Sequence, residues 1–433
     1  MAGFLGMRGT GSWATNQRPE SWREMILYLY PNGSAPLTAM LSKMGSESVD
    51  DPKYHWWTKK LPSQSAATVD SGIYQEVGLT NALTATNTAA GVTVFAKVSA
   101  ADSNQFRVGH QVLLRDASDL DVDVNGKVTA VNTTTGAISV LLLEADDNST
   151  GSLVGCDTVL IIGNINEEGA TMPSAISYDP VEFSNVTQIF RTPLEITRTA
   201  RKTRLRTGDA YKELKREALE IHSIEMEKAF IWGFKTDAVP SGGTHPARST
   251  EGLLNFIKAN AASNIYDYKT DTGYTGKTWL SGGEDFIDEK LEEIFRFGST
   301  EKLAFCGSGA LLGVQRLAKT YGNIQLKSSS TSYGIKVVDW ITPFGTLSLK
   351  THPLFSYEAT NRNMMVVLEP SKLKYKYVDD TFFKKDAAQN SSTTRIDGTK
   401  EEFLTECGLE YHHPDAFGIP VSYTHLRAHE TRH

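Results

Sequence analysis

The sequence predicts an α+β protein built from stretches of very different texture. Three observations carry that expectation. The first 56 residues are too broken by turn formers to close a core. Residues 80–165 hold short alternating runs in a background of Thr, Val, Ala, Asn and Gly. A long helical pattern begins at Thr207, and alternating helical and strand signals follow it. At 433 residues the chain has room for two to three domains of roughly 150 residues.

Residues 1–56 read as an arm. The apolar patches Met25 to Tyr30 and Leu37 to Met44 are separated by Pro31, Asn32, Gly33 and Pro36, and Gly45 follows. Trp13, Trp22, Tyr28, Tyr30, Tyr54, Trp56 and Trp57 give this polar-punctuated region an unusual density of rings. Such rings need a partner surface, in this subunit or in another.

In the next region, Val92 to Phe95, Gln111 to Arg115, Gly126 to Val131 and Ala137 to Leu143 read as strands of a small barrel or sandwich. Asn132 to Gly136 reads as a hairpin turn. The helix is then expected over about 208–233, capped by Asp209 or Thr207 with Glu213 and Glu217 early, where the helix dipole favours anions. Ala210, Leu214, Ala218, Ile221, Ala229 and Trp232 form one stripe, and Leu219, Met226 and Phe230 a second. Glu213, Arg216, Glu217, Glu220 and Glu227 are assigned to the polar face. Two stripes imply two packing partners. After the Gly/Pro/Ser-rich link Val239 to Arg248 come helical patterns at Glu284 to Phe297 and Leu311 to Tyr321. Strands are expected at Lys302 to Cys306, Gly334 to Trp340, Thr346 to Lys350 and within 364–378.

Composition excludes several classes. Lys and Arg number 44 against 51 Asp and Glu, a net charge of -7, which argues against a surface devoted to gripping nucleic acid. With 40% hydrophobic residues, wholesale disorder is not expected. No run of about 18 apolar residues would span a membrane. The opening MAGFLGMRGTGSW lacks the pattern of a signal peptide, so cytosolic synthesis is expected. Cys156, Cys306 and Cys407 are far apart and form no CxxC pair. The terminal SYTHLRAHETRH resembles a translated sequencing-adapter read-through, and residues 422–433 are set aside as a non-native tail.

Candidate chemistry is sparse. Leu303 to Cys306 runs into Gly307, Gly309 and Gly313 and a helix, the context of a dinucleotide fingerprint, but the spacing GxGxxxG is one residue too long. A tight turn with close helix–strand packing is the simpler reading. Gly276-Lys277-Thr278 resembles the end of a phosphate loop, yet Asp271 stands where that loop needs glycine. His222 and Glu225 share a helical face without the second motif a di-iron bundle requires. His412 and His413 near Cys407 lack a fourth ligand. No catalytic site, cofactor or metal is therefore assigned. The one charge cluster of weight is Arg191, Arg198, Arg201, Lys202, Arg204 and Arg206, with Glu195 between. Subunit contacts, a solvated face and phosphate backbones are all open readings, with subunit contacts leading.

Several segments together resemble the major capsid protein of tailed bacteriophages. They are Ile26 to Asn32, Ala35-Pro36-Leu37-Thr38 and Asp51 to Trp57; Asn185 to Phe190; Thr197 to Thr203; Glu225 to Gly233; Phe297-Gly298-Ser299; Phe305-Cys306-Gly307; and Tyr333 to Trp340 through His352-Pro353. The order of these segments, over about residues 20–415, is more telling than any one of them. The resemblance implies the capsid fold of tailed phages and herpesviruses. It places an N-terminal arm at 1–56 and an extended loop, the E-loop, at 57–190 with a β-barrel-like insertion at about 80–165. A peripheral domain falls at 191–238 and 366–421, and an axial domain at 239–365. It further implies hexamers and pentamers of an icosahedral shell around double-stranded DNA, formed in the host cytoplasm. Scaffold, portal or decoration proteins would be further partners; DNA contact would be weak, and no membrane or cofactor is involved. Trp56, Trp57, Arg198, Arg201, Lys202, Arg204 and Arg206 are the residues expected at subunit interfaces. A surface or tail adhesin built on the β-module, and a dinucleotide-binding enzyme built on Gly307 to Gly313, are the alternatives.

Overall fold

The computed structural model describes residues 35–85, 87–116, 123–146, 152–169, 171–203, 208–241, 243–321, 325–332, 335–357, 361–385 and 397–420, with the backbone alone over 321–336. Trp13, Trp22, Tyr28, Tyr30 and the Ile26 to Asn32 motif lie outside the described residues, as do Arg204, Arg206 and the tail from 422. The chain divides into two units, Lys59–Val181 and the segments on either side of it.

In the unit formed by the flanking segments, the helix expected from Thr207 runs from Ala210 to Trp232, with the Asp209 side chain accepting from Tyr211 N. It stops at Gly233, where a Cβ would stand 2.4 Å from the carbonyl oxygens of Ala229 and Thr250, so only glycine fits. Strand Gln188–Thr197 alternates strictly, turning Phe190, Thr192, Leu194 and Ile196 inward beneath the helix. It belongs to a four-stranded sheet ordered Ser46–Ser48, Leu373–Lys384, Gly398–Tyr411, Gln188–Thr197. The sheet's inner face, the helix and the short helix Leu253–Asn260 share one core containing Phe230, Phe256, Leu409 and Tyr411.

The same unit holds a five-stranded sheet, ordered Gln325–Ser332, Ile335–Thr342, Gly345–Thr351, Glu301–Cys306, Met365–Leu368. Glu301–Cys306 pairs parallel with Gly345–Thr351 and antiparallel with Met365–Leu368. Helix Trp279–Phe295 presents Phe286, Ile287, Leu291 and Ile294 to a core shared with Ala310, Val314 and Leu317 of helix Ser308–Tyr321.

Three assignments on the long helix are corrected. Ile221 and Leu219, placed on apolar stripes, are 51% and 42% exposed, whereas Glu227, placed on the polar face, is completely buried. The face turned to the sheet is set by Ala218, His222, Met226 and Phe230, and Ile221 points away from it.

The Lys59–Val181 unit contains a closed six-stranded barrel, ordered Ser65–Tyr74, Thr93–Val98, Ala137–Leu142, Val124–Asn132, His110–Arg115, Thr158–Asn164. Val94, Val112, Leu114, Val128, Ile138 and Val140 fill its interior. The turn at Asn132 forms as expected: its side chain accepts from Thr134 N and Thr135 N. Gly136 takes φ +74 where a Cβ would lie 2.0 Å from Val98 O. The barrel starts earlier than residue 80, because closure needs Ser65–Tyr74 to pair with both Thr93–Val98 and Thr158–Asn164. That strand hides from a periodicity search. Asp70 and Gly72 take positive φ, and the register shifts between Thr68 and Ile73.

Candidate assembly site

The arm is fastened to the long helix by one buried carboxylate. Arm helix Pro36–Leu41 starts at Ala35, which has no side chain to cap it. Its first N–H groups would be orphaned in an apolar setting. Glu227, 190 residues away in sequence, supplies the acceptors: Leu37 N donates to Oε1 at 2.7 Å, and Thr38 N and Oγ1 donate to Oε2 at 2.7 and 2.6 Å. The positive end of the helix also favours this anion. His352 completes the clamp through Nε2, 2.8 Å from Oε1, and both side chains are fully buried. Facing a carboxylate, Nε2 carries the proton; the buried Nδ1 has no hydrogen-bond partner among the described residues. Phe305 and Phe355 pack around the imidazole at 5.4 and 4.7 Å between ring centroids. Pro36, Leu37, Met40 and Leu41 complete the attachment by entering the core.

Strand Lys53–Thr58 makes a second attachment and separates the two tryptophans. Side chains alternate along a strand, so Tyr54, Trp56 and Thr58 point inward and Lys53, His55 and Trp57 outward. Trp56 donates its Nε1–H to Tyr411 O at 2.8 Å and stacks between Tyr54 and Phe183. Tyr54 donates to Leu409 O at 2.8 Å. The Trp56 ring is thus used within its own subunit, at 5% exposure, while Trp57 is 59% exposed.

The arginine string forms the short helix Arg198–Lys202, capped by Thr197 Oγ1 and with no buried residue. Arg198 Nε donates to Asp397 Oδ1 at 2.7 Å, a partner within the subunit. The pair is exposed, and the guanidinium holds the Asp397 carboxyl below the usual carboxylate range. Arg201 lies over the Tyr211 ring at 4.7 Å and donates to Thr399 Oγ1 at 3.4 Å. Lys202 is exposed. Nearby Arg191 makes a forked contact to Glu402. The structure therefore brings Arg198, Arg201 and Lys202 onto one exposed turn and leaves Trp56 and Trp57 on a separate strand.

The catalytic motifs resolve into packing. A Cβ at Gly307 would sit 2.1 Å from Arg362 O, and one at Gly309 2.0 Å from Asn363 Oδ1, so the turn is closely packed against the 361–363 segment. His222 lies between two hydroxyls, Thr192 Oγ1 at 2.9 Å and Thr405 Oγ1 at 2.8 Å, and burial pushes its pKa down. His412 pairs with Glu410. Burial pushes the Cys407 thiol up to about 12. Among the described residues no group of three His, Cys, Asp or Glu could hold a metal, and no helix is long and apolar enough to cross a membrane.

Glu227 and His352 are the buried pair at this site that sequence reasoning missed. A buried glutamate on an amphipathic helix looks like any surface glutamate until its partners are known.

An arm fastened to the long helix, an exposed basic turn and an exposed tryptophan are the features of this site. A family model for the SU10 major capsid protein matches residues 7–422, and the chain belongs to that family. It is 26% identical over 366 residues to the major capsid protein of Pseudomonas phage PaMx41, a match covering 83% of this chain and 79% of that protein. Among solved structures, that of Mycobacterium phage Cain aligns over 95% of this chain and 97% of its own at 8% identity, with a TM-score of 0.45. That of Microbacterium phage Oxtober96 aligns over 94% and 96% at 12% identity, with a TM-score of 0.43. The chain is thus a structural protein of the phage virion, a subunit of the capsid shell with the α+β capsid fold of its family.

Proposed function

We propose that this chain forms hexamers and pentamers that close an icosahedral shell around packaged double-stranded DNA, assembles in the bacterial cytoplasm and performs no catalysis. The observation that carries the reading is the family match across residues 7–422, which takes in the arm and both units. In this reading residues 1–56 are the arm and 57–190 the E-loop with its barrel. Residues 191–238 and 366–421 form the peripheral domain, and 239–365 the axial domain. Trp57 and the turn Arg198 to Lys202 face neighbouring subunits, and Arg204 and Arg206, outside the described residues, are assigned the same role. A net charge of -7 suits a wall that confines DNA without gripping it. Many repeated contacts make modest pair affinities cooperative in a closed shell. Negative-stain electron microscopy of residues 1–421, with size-exclusion chromatography, tests this. Closed shells, tubes or five- and six-fold rings are expected; a small defined oligomer that binds a dinucleotide would overturn it.

A further inference from the structure

We propose that the apolar arm segment Met25 to Tyr30 seats in a groove on its own subunit, beside the Glu227 clamp. The groove has a volume of about 940 Å³, and its lining includes Lys228, Trp232, Lys258, Leu354, Tyr357 and Met364. Two of its walls begin at the clamp. Lys228 directly follows Glu227 on the long helix, with Trp232 one turn on, and Leu354 and Tyr357 lie just after His352. The arm chain is held at this corner, because Leu37 and Thr38 are bonded to Glu227.

Reach and chemistry select the occupant. Tyr30 precedes Ala35 by five residues, a span of at most about 18 Å when extended. The segment therefore starts within reach of the groove, at the millimolar effective concentration of a short tether. Met25-Ile26-Leu27-Tyr28-Leu29-Tyr30 is apolar throughout and matches the Trp232, Leu354 and Met364 lining. Glu24 is the only charged residue between Arg23 and Lys43. Lys228 and Lys258 make no ion pair among the described residues and can receive it. Tyr357, at 70% exposure, is otherwise a large ring left open to water. Seating here would fix the point from which residues 1–24 leave the subunit.

The test uses the full chain with Tyr357→Cys paired with Leu27→Cys or with Tyr28→Cys, since adjacent positions present both faces of an extended segment. The native cysteines are all buried and do not compete. A short bis-maleimide is applied to subunits mixed from unlabelled and ¹⁵N-labelled protein, and the linked peptides are read by mass spectrometry. Same-label links at least tenfold above a Leu27→Cys/Ile189→Cys control are expected. Mixed-label links would overturn own-chain seating in favour of a second copy's arm, and yields at the control level would refute the groove altogether. Glu24→Lys should lower the yield several-fold, and Lys228→Glu with Lys258→Glu should restore it. Unchanged yields in both would remove the ionic part of the argument. Because the readout works on unassembled subunits, it fails or succeeds independently of shell formation.

Discussion

Replacing Glu227 with alanine removes an acceptor that four donors share: Leu37 N, Thr38 N, Thr38 Oγ1 and His352 Nε2. Each buried donor left unsatisfied costs about 1–3 kcal/mol. The penalties do not add fully, since a loosened arm helix admits water. Four hydrogen bonds to one buried carboxylate are lost together, and with that relaxation the expected loss is about 3–5 kcal/mol. Glu227→Gln keeps the volume but turns an amide NH₂ toward two of the donors, so it should recover only part of the loss. Glu220, on the same helix and paired with Arg216 at 3.3 Å on the surface, serves as the control. Glu220→Ala should cost about 0.5 kcal/mol or less. The assay is urea unfolding of the soluble chain together with chymotryptic cleavage within Leu37 to Leu41. If the arm helix opens locally, a loss of about 3 kcal/mol raises the open population roughly 150-fold, and cleavage should follow. Glu227→Ala behaving like Glu220→Ala in both assays would refute the clamp. A double-mutant cycle with His352→Ala should show coupling above about 0.5 kcal/mol.

Other consequences can be checked separately. Trp56→Ala should destabilise the subunit by about 3–5 kcal/mol, because it leaves a cavity and orphans Tyr411 O; Trp57→Ala should leave unfolding within about 1 kcal/mol and lower shell yield, and equal effects from the two would contradict their opposite placement. Burial holds the His222 imidazole below its ordinary value of 6.5, so the unfolded chain binds the proton first on acidification. Stability should therefore hold above pH 6.5 and fall as the pH drops through it, and His222→Gln should flatten that dependence in denaturant midpoints measured from pH 5 to 8. The triple reversal Arg198→Glu, Arg201→Glu, Lys202→Glu should leave subunit stability within about 1 kcal/mol, since these side chains are exposed. Electron microscopy should then show no shells, and normal particles would assign the basic turn to solvent.

The sequence by itself determined the elements whose signals are local. The helix Ala210–Trp232 was legible because its cap, its early acids and its 3.6-residue spacing lie within one stretch of chain. The barrel strands from Thr93 to Leu142 were legible for the same reason, through alternation and a turn at Asn132 to Gly136. The strand, glycine turn and helix from Glu301 to Tyr321 were also legible, because the turn glycines lie within one short stretch of chain. Tertiary structure alone decided which faces are covered. Periodicity says that Ile221 and Glu227 lie on given sides of a helix, but burial is set by the chain segment that arrives opposite. Here a helix from the arm brings two N–H groups and a hydroxyl, and the loop before Pro353 brings an imidazole, so a glutamate becomes the better-buried residue. Likewise Trp56 and Trp57 are equivalent in composition, and one step of strand register sends the first into the core and the second to the surface.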